Sequence, residues 1–351
     1  MYESNDYMPK DPYPDIGVPI DFPTIQEAID EANVGDVIKV LPGTYTEQLT
    51  ISKSLTIIGS GAESAIIEAP EDLDANIIGR PYIIDINNEA EVNLKGFTIN
   101  NPASVACGEI IAISVMDGGS INLKYTAFRD CTSDTIYIGA TSASQGGPQI
   151  GHATITDTYI TDYLYRGVHA LGSGSTLTMS YNDIIGSELN IDWAGGGIFL
   201  RDGAEGMIIH NVVAGNICNN PVCGPKLIGQ TQDVGIVAIT ASEGSVISNN
   251  YVANNDVGIG VIGVSGCCII DPNKLTDNRF LGVGIYDGEH TISNTKIFGG
   301  NIGVAAIVTN ANTVTTLDRI KIVDAKIPVQ ALSSGGFTAA VNVVSSYFLA
   351  P

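Results

Sequence analysis

The sequence predicts an all-β chain wound as a single-stranded parallel β-helix, and three observations predict it. Six segments begin with Gly and continue in alternating apolar positions: "GVHAL" at Gly167, "GIFLR" at Gly197, "GIVAI" at Gly235, "GIGVI" at Gly258, "GVGIY" at Gly282 and "GVAAI" at Gly303. Their spacings of 30, 38, 23, 24 and 21 residues set a period in the low twenties, with insertions in the longer two. Asn182, Asn211, Asn250, Asn273 and Asn294 recur in step with the glycines, in β-forming surroundings such as "MSYND" and "IIHNV". Each repeat has room for two or three short strands and none for a crossover helix. Parallel strands must then come from coiling, each turn stacked on the last at about 4.8 Å.

In such a stack the Asn side chains of successive coils can bond along a ladder, satisfying amides that are costly to bury alone; the other reading is that Asn marks turns. Earlier coils are recognisable in "IIDINNEAEVNLKGFTINN", "IAISVMDGGSINLKYTAFRD" and "TIYIGATSAS", for about ten or eleven in all. The first lie in "GDVIKVLPGTYTEQLTISKSLTIIGSG", residues 35 to 61. Ahead of them "FPTIQEAIDEAN" reads as the one helix, over 24–33. Thr24 and Glu27 form a capping-box pattern, and Ile25, Ala28, Ile29 and Ala32 share a face. An open coil end exposes unpaired strand edges, so this helix is expected as the lid. The boundaries read as a tail over 1–21, the β-helix over 22–326 and a C-terminal cap or tail over 327–351.

A chain of 351 residues with 40 Gly and only 15% charged residues suits one continuous core. Sixteen Lys and Arg against 38 Asp and Glu give a net charge of −22, which repels nucleic acids and anionic lipid. The same field opposes acidic polysaccharides unless a divalent cation such as calcium bridges the carboxylates; no other cofactor is indicated. No run of about 18 apolar residues exists to span a membrane. The N-terminus lacks the basic start and apolar run of a secretory signal, yet a place outside the cell, or on a cell, spore or virion surface, is expected.

Residues 22 to 61, "FPTIQEAIDEANVGDVIKVLPGTYTEQLTISKSLTIIGSG", resemble the opening segment of pectin methylesterases and related proteins of the pectin-lyase-like superfamily. The resemblance implies a right-handed parallel β-helix that engages polysaccharide. Pectin methylesterases would imply two aspartates, a Gln-built oxyanion site and an Arg with a nearby Trp. Asp162 in "TDYLYRG" and Asp192 in "NIDWAGG" only loosely echo those aspartate motifs, and the sole Trp, Trp193, has no Arg two before it. The polygalacturonase pattern of adjacent aspartates with Gly-His-Gly is absent, as is the basic cluster of pectate lyases. No single mechanism carries over.

Alternation from each repeat Gly sends the next residue inward and the one after it outward. The outward row reads Tyr137, His169, Phe199, Val237, Gly260, Gly284, Ala305, and two residues on, Leu171, Arg201, Ile239, Ile262, Tyr286, Ile307. Its first half is aromatic and polar. The insertions "GSELNIDWAGG", 186–196, and "ICNNPVCGPKLIGQTQD", 217–233, precede consecutive strands there and are expected as cleft walls. The candidate catalytic residues are Asp162, Asp192 and Arg201. Trp193, Tyr137, His169, Phe199, Glu188 and Asp202 are the candidate substrate-binding residues, the aromatics for stacking on sugars and the carboxylates as acid, base or cation ligand. Trp193 can equally anchor its own loop, each carboxylate can be solvated surface, and His169, outward on a strand, reads as a surface residue rather than a base. Val237, Ile239, Ile262 and Ile307 would face water as an interaction stripe, covered by residues 331–351 or a second subunit. A slip of one residue would instead put them inside.

Cys107 and Cys131 hold equivalent places in adjacent coils, within disulfide reach, and Cys218 and Cys223 can staple the long insertion. At least one of the adjacent Cys267 and Cys268 should be buried. The leading function is polysaccharide engagement, with hydrolase, lyase or esterase activity beside coils 4–6. The alternative is a non-catalytic fibre, coat or adhesin component that assembles as a homo-oligomer. Four His and five Met poorly serve copper handling.

Overall fold

A computed structural model describes residues 15–102, 110–129, 132–140, 148–186, 195–219, 223, 232–263 and 267–349. The chain runs repeatedly through three sheets in the same order, and every pairing between named strands is parallel, as in Glu91–Lys95 on Ser120–Lys124. The first sheet has 13 strands, from Ile16–Val18 to Ala339–Val344; the second has 12, from Gly43–Thr46 to Tyr347–Leu349; the third has 11, from Leu49–Ile51 to Ile327–Leu332. The stack is therefore taller than the repeat count suggested. Its early coils keep strands without the Gly mark, and residues 327–349 continue all three sheets by a further rung.

In-register pairing turns the sequence period into vertical columns. Val92, Ile121, Ala153 and Leu177 stack in one column of the first sheet, Leu94, Leu123, Ile155 and Met179 in the next, all buried. The repeat glycines form a column in which each lies against a backbone carbonyl of the next coil. A Cβ on Gly197 would stand 2.7 Å from the Gly235 carbonyl oxygen, and one on Gly282 would stand 2.5 Å from that of Gly303. Any side chain there would force the coils apart.

The corner between the first and second sheets needs a left-handed residue, with φ from +48° to +59° at Tyr125, Asp157, Tyr181, His210, Asn249 and Asn294. The residue after each points inward and forms the ladder: the side-chain amides of Asn182, Asn211 and Asn250 each donate to the next Asn oxygen, at 2.9, 3.1 and 3.1 Å. Asn294 is corrected by this geometry. It occupies the left-handed corner, and Thr295 takes the ladder place, accepting from the Asn273 amide N–H at 3.2 Å. A second ladder, absent from the sequence reading, runs Asn216, Asn255, Asn278 at the corner between the second and third sheets, with amide bonds of 2.8 and 3.0 Å.

The helix spans Ile25–Glu31, a residue or two shorter at each end than its pattern. Thr24 caps it through Glu27 N–H, while the Glu47 carboxylate accepts from Ile25 and Gln26 N–H at 3.0 Å each, meeting the positive end of the helix dipole. Lys53 donates to the Asp30 and Ala32 carbonyls at the other end, and Ile25, Ala28 and Ile29 are buried in the main core. Among the described residues no helix is long and apolar enough to cross a membrane.

Candidate functional site

On the outer face of the third sheet one row runs Thr50, Asp85, Ser114, Tyr137, His169, Phe199, Val237, Gly260, Gly284 and Ala305, each paired with the next. Strict alternation fails three residues earlier in these strands. Ala112 and Ile113 both join the interior core, which turns the preceding position outward. That position forms a second outer row, Tyr82, Ile111, Asp134, Arg166, Gly196, Val234, Val257, Leu281 and Ile302.

Where the two rows cross coils of polar sequence, charges converge. Asp134, with a side chain 2% exposed, accepts from Arg80 Nη1 at 2.7 Å and Arg166 Nη1 at 3.2 Å. Arg80 also donates to Ser133 Oγ at 2.8 Å. The guanidinium of Arg80 lies over the Tyr137 ring at 5.3 Å, and that of Arg166 over Phe199 at 5.0 Å. Between these aromatics sits His169, edge-on to Tyr137 at 5.1 Å and to Phe199 at 6.0 Å. His169 Nδ1 stands 3.6 Å from Asp134 Oδ1, too far for a hydrogen bond, and among the described residues neither ring nitrogen has another partner.

Burial, with Arg166 and Arg201 nearby, pushes the His169 pKa down to about 4 against the pull of Asp134, so the ring is neutral at pH 7. Burial alone would raise Asp134, but His169, Arg166 and Arg80 hold its carboxyl well below the usual range. Tyr137 is raised, by burial first and by Asp134 second, and keeps its proton. Two rungs before Tyr137, the buried Asp85 carboxyl is raised by burial despite bonds from Ser114 and Asn87, and its Oδ1 has no partner among the described residues. The result is a buried carboxylate anchoring two partly exposed cations beside a neutral base and a protonated phenol.

The structure brings Tyr137, His169, Phe199 and Arg201 onto this face, Arg201 within 3.8 Å of Asp202 on the turn beyond. His169 is not the surface residue expected from its outward direction: it is 3% exposed, because the surrounding side chains close over it. Asp162 lies instead at the corner leading from the second sheet to the third, with φ +59°, and shares no hydrogen bond or ion pair with the cluster. Asp192, Trp193 and Glu188, and the thiols of Cys107 and Cys131, lie outside the described residues. Sequence reasoning missed Arg80, Asp134, Arg166 and Asp85. The available signal was charge placed three residues before the aromatic row, Asp134 before Tyr137 and Arg166 before His169, which a strict period of two conceals.

The feet of both insertions are tied together beside this face. The Asp256 carboxylate accepts from the Cys218 and Asp233 amides at 3.1 and 3.3 Å and pairs with Arg279 at 2.6 Å, while Asp233 accepts from Gly195 N–H at 2.8 Å. Cys218 is disulfide-bonded to Cys223. Cys267 and Cys268 are both buried in the core. Among the described residues no three His, Cys, Asp or Glu side chains gather to hold a metal ion.

The aliphatic stripe does not face water. Val237 and Ile307 are buried and Ile239 and Ile262 half-buried, although all four are on the outer face. Val257, Leu281, Ile302, Ala305 and Ile307 form a second apolar cluster there, because Gly260 and Gly284 leave room for their neighbours to fold inward over the sheet.

No family model matches the chain, and no curated protein matches it. Among solved structures it is similar to the mannuronan C-5 epimerase A-module of Azotobacter vinelandii, at 14% identity and a TM-score of 0.53, covering 93% of this chain and 94% of that one. It is also similar to a double mutant of the periplasmic alginate epimerase AlgG, at 10% identity and a TM-score of 0.56, covering 95% of this chain and 83% of that one. The likeness is one of fold: the chain is a right-handed parallel β-helix.

Proposed function

We propose that this protein processes polysaccharide, and that its site is the outer face of the third sheet around Arg80, Asp134, Tyr137, Arg166, His169 and Arg201. The observation that carries this reading is the buried, neutral His169, whose two ring nitrogens lack hydrogen-bond partners beside a protonated Tyr137 and a set of guanidinium groups. Buried polar atoms are ordinarily paired, so an orphaned imidazole in a fixed charged setting marks a place for a ligand.

The arrangement suits proton removal from a carbon next to a carboxylate. Guanidinium groups offset the charge of an acidic sugar, His169 accepts the proton once the side chains closed over it move aside, and Tyr137 is placed as donor; return of a proton inverts the centre and loss of a neighbouring substituent cleaves the chain. Two-carboxylate hydrolysis has less support, since Asp134 is tied to two arginines. The fold's likeness to mannuronan and alginate epimerases supports the same class. The Cys218–Cys223 disulfide supports a location outside the cytoplasm, and the helix Ile25–Glu31 is read as the lid of the first coil.

The test is incubation with polygalacturonate and polymannuronate in D₂O, with and without calcium, following 4,5-unsaturated ends by absorbance and deuterium uptake by NMR. Turnover by the wild type that survives in His169→Gln and Tyr137→Phe would remove this site from the reaction. Asp192→Ala asks separately whether the 186–196 segment contributes. A second reading, non-catalytic self-assembly, is favoured by one observation: Val343, Val344, Tyr347 and Leu349 of the last coil are 44–54% exposed. A discrete oligomer by light scattering, with no glycan bound or turned over, would establish it instead.

A further inference from the structure

A row on the outer face of the second sheet reads Tyr159, Asp183, Val212, Tyr251, Lys274, Lys296, Lys321 and Tyr347, each paired with the next. Three of the sixteen basic residues of an acidic chain thus stand one above another, a rung of about 4.8 Å apart, and all three are exposed. Among the described residues none of them has a carboxylate within ion-pair distance. Arg319, on the neighbouring corner, adds a further cation and is held by Asn294 Oδ1 at 2.7 Å and Asp318 at 2.8 Å.

Two of the lysines lean on aromatic rings of the preceding coil, Lys274 Nζ at 5.1 Å from the Tyr251 ring and Lys321 Nζ at 5.9 Å from that of Phe298. Tyr251, Lys274 and Lys296 border a 310 Å³ hollow with Asn249, Pro272 and Asn294. Stacking like charges at successive rungs is unfavourable, and nothing in the coil calls for lysine there, since the same outward position holds Tyr, Asp or Val in other coils. A linear polyanion lying along the column would turn that repulsion into attraction. Charges recurring at about one sugar length, flanked by exposed Tyr251 and Tyr347, match a polysaccharide with one acidic group per residue.

We propose that this column is a second binding surface, on which an acidic polysaccharide lies parallel to the solenoid axis. It shares the ligand class of the site proposed above and no residue with it, standing on a different sheet. The full chain is treated with an amine-acetylating reagent, with and without long oligogalacturonates, and Lys274, Lys296 and Lys321 are followed by mass spectrometry. Protection of these three, with Lys53 and Lys95 unaffected, is expected.

In titrations the triple variant Lys274→Gln/Lys296→Gln/Lys321→Gln should bind the oligomer about tenfold more weakly at low salt and show a shallower salt dependence. Carboxyl-reduced oligomers should not protect. The idea fails if the lysines react at the same rate with and without oligogalacturonate, if the reduced oligomer protects equally, or if single-stranded DNA protects better. His169→Gln separates the two proposals: it abolishes turnover if the third-sheet site is right, and leaves protection of the lysines intact if the column is right.

Discussion

Two stretches of the third sheet's outer face share one backbone and differ in everything built on it. From Asp85 to Phe199 the outward rows bury a carboxylate and an imidazole and hold a partly exposed guanidinium, with that of Arg80 beside them; from Val237 to Ile307 they bury valine, leucine and isoleucine over two glycines. Register is continuous across the join, Phe199 on Val237 and Gly196 on Val234. A solenoid can therefore change the chemistry of its surface from one coil to the next without altering its interior. The apolar stretch stabilises by packing. The charged stretch instead holds a carboxylate stabilised by two cations beside a neutral imidazole.

The largest way to break the comparison is Asp134→Ala, which leaves Arg80 and Arg166 facing each other without their anion. Removing one partner of a buried ionic cluster should cost about 4 kcal/mol, read from urea denaturation. Converting all three residues to apolar ones of similar size should recover most of that loss. Should Asp134→Ala prove neutral, the cluster is not buried as a unit and the contrast between the stretches collapses.

Acidification acts on the charged stretch through His169. His169 has a folded pKa of about 4 against an ordinary 6.5, so the unfolded chain binds its proton first. Stability from this group is present above pH 6.5 and is lost as the pH falls toward 4, on the order of 3 kcal/mol in all. Asp134 is depressed, so its contribution disappears only below its ordinary value of 3.8. His169→Gln should lack the loss between pH 6.5 and 4.5, while Leu281→Ala should retain it. Equal pH profiles for wild type and His169→Gln would contradict the neutral buried ring.

The apolar stretch is tested by truncation. Leu281 is fully buried and fills the space over Gly284, so Leu281→Ala should cost roughly 2.5 kcal/mol, with no change in pH profile or turnover.

The fold was legible because stacking repeats one local solution many times. The Gly column and the Asn marks are requirements of neighbouring backbones, so they recur at the coil period. The site was only half legible. Tyr137, His169 and Phe199 appear in the outward row by counting from each Gly, but Asp134 and Arg166 lie across a place where two successive residues turn inward. Arg80, 54 residues from Asp134, belongs to a coil with no Gly mark at all. Burial was hidden for a related reason, since direction along a strand says which face a residue takes and nothing of what closes over it. Asn294 was misread because the left-handed corner and the ladder place are adjacent and both favour Asn.

The smallest expected effect returns to the interior that both stretches share. Asn250 donates to Asn273 Oδ1 and the Ile208 carbonyl, and its own oxygen accepts from the Asn211 backbone and side chain. Asn250→Ala orphans several of these groups at once and should cost about 2 kcal/mol. At the end of the ladder Thr295 accepts from the Asn273 backbone amide and turns its own hydroxyl to the Ser293 carbonyl, so Thr295→Val should cost nearer 1 kcal/mol. If the gradient is right, the ladder stabilises as a chain of mutually oriented amides whose middle members matter most. Equal losses at Asn250 and Thr295, measured by urea denaturation at pH 7, would mean that each rung satisfies itself and that the interior is no more cooperative than the surface it carries.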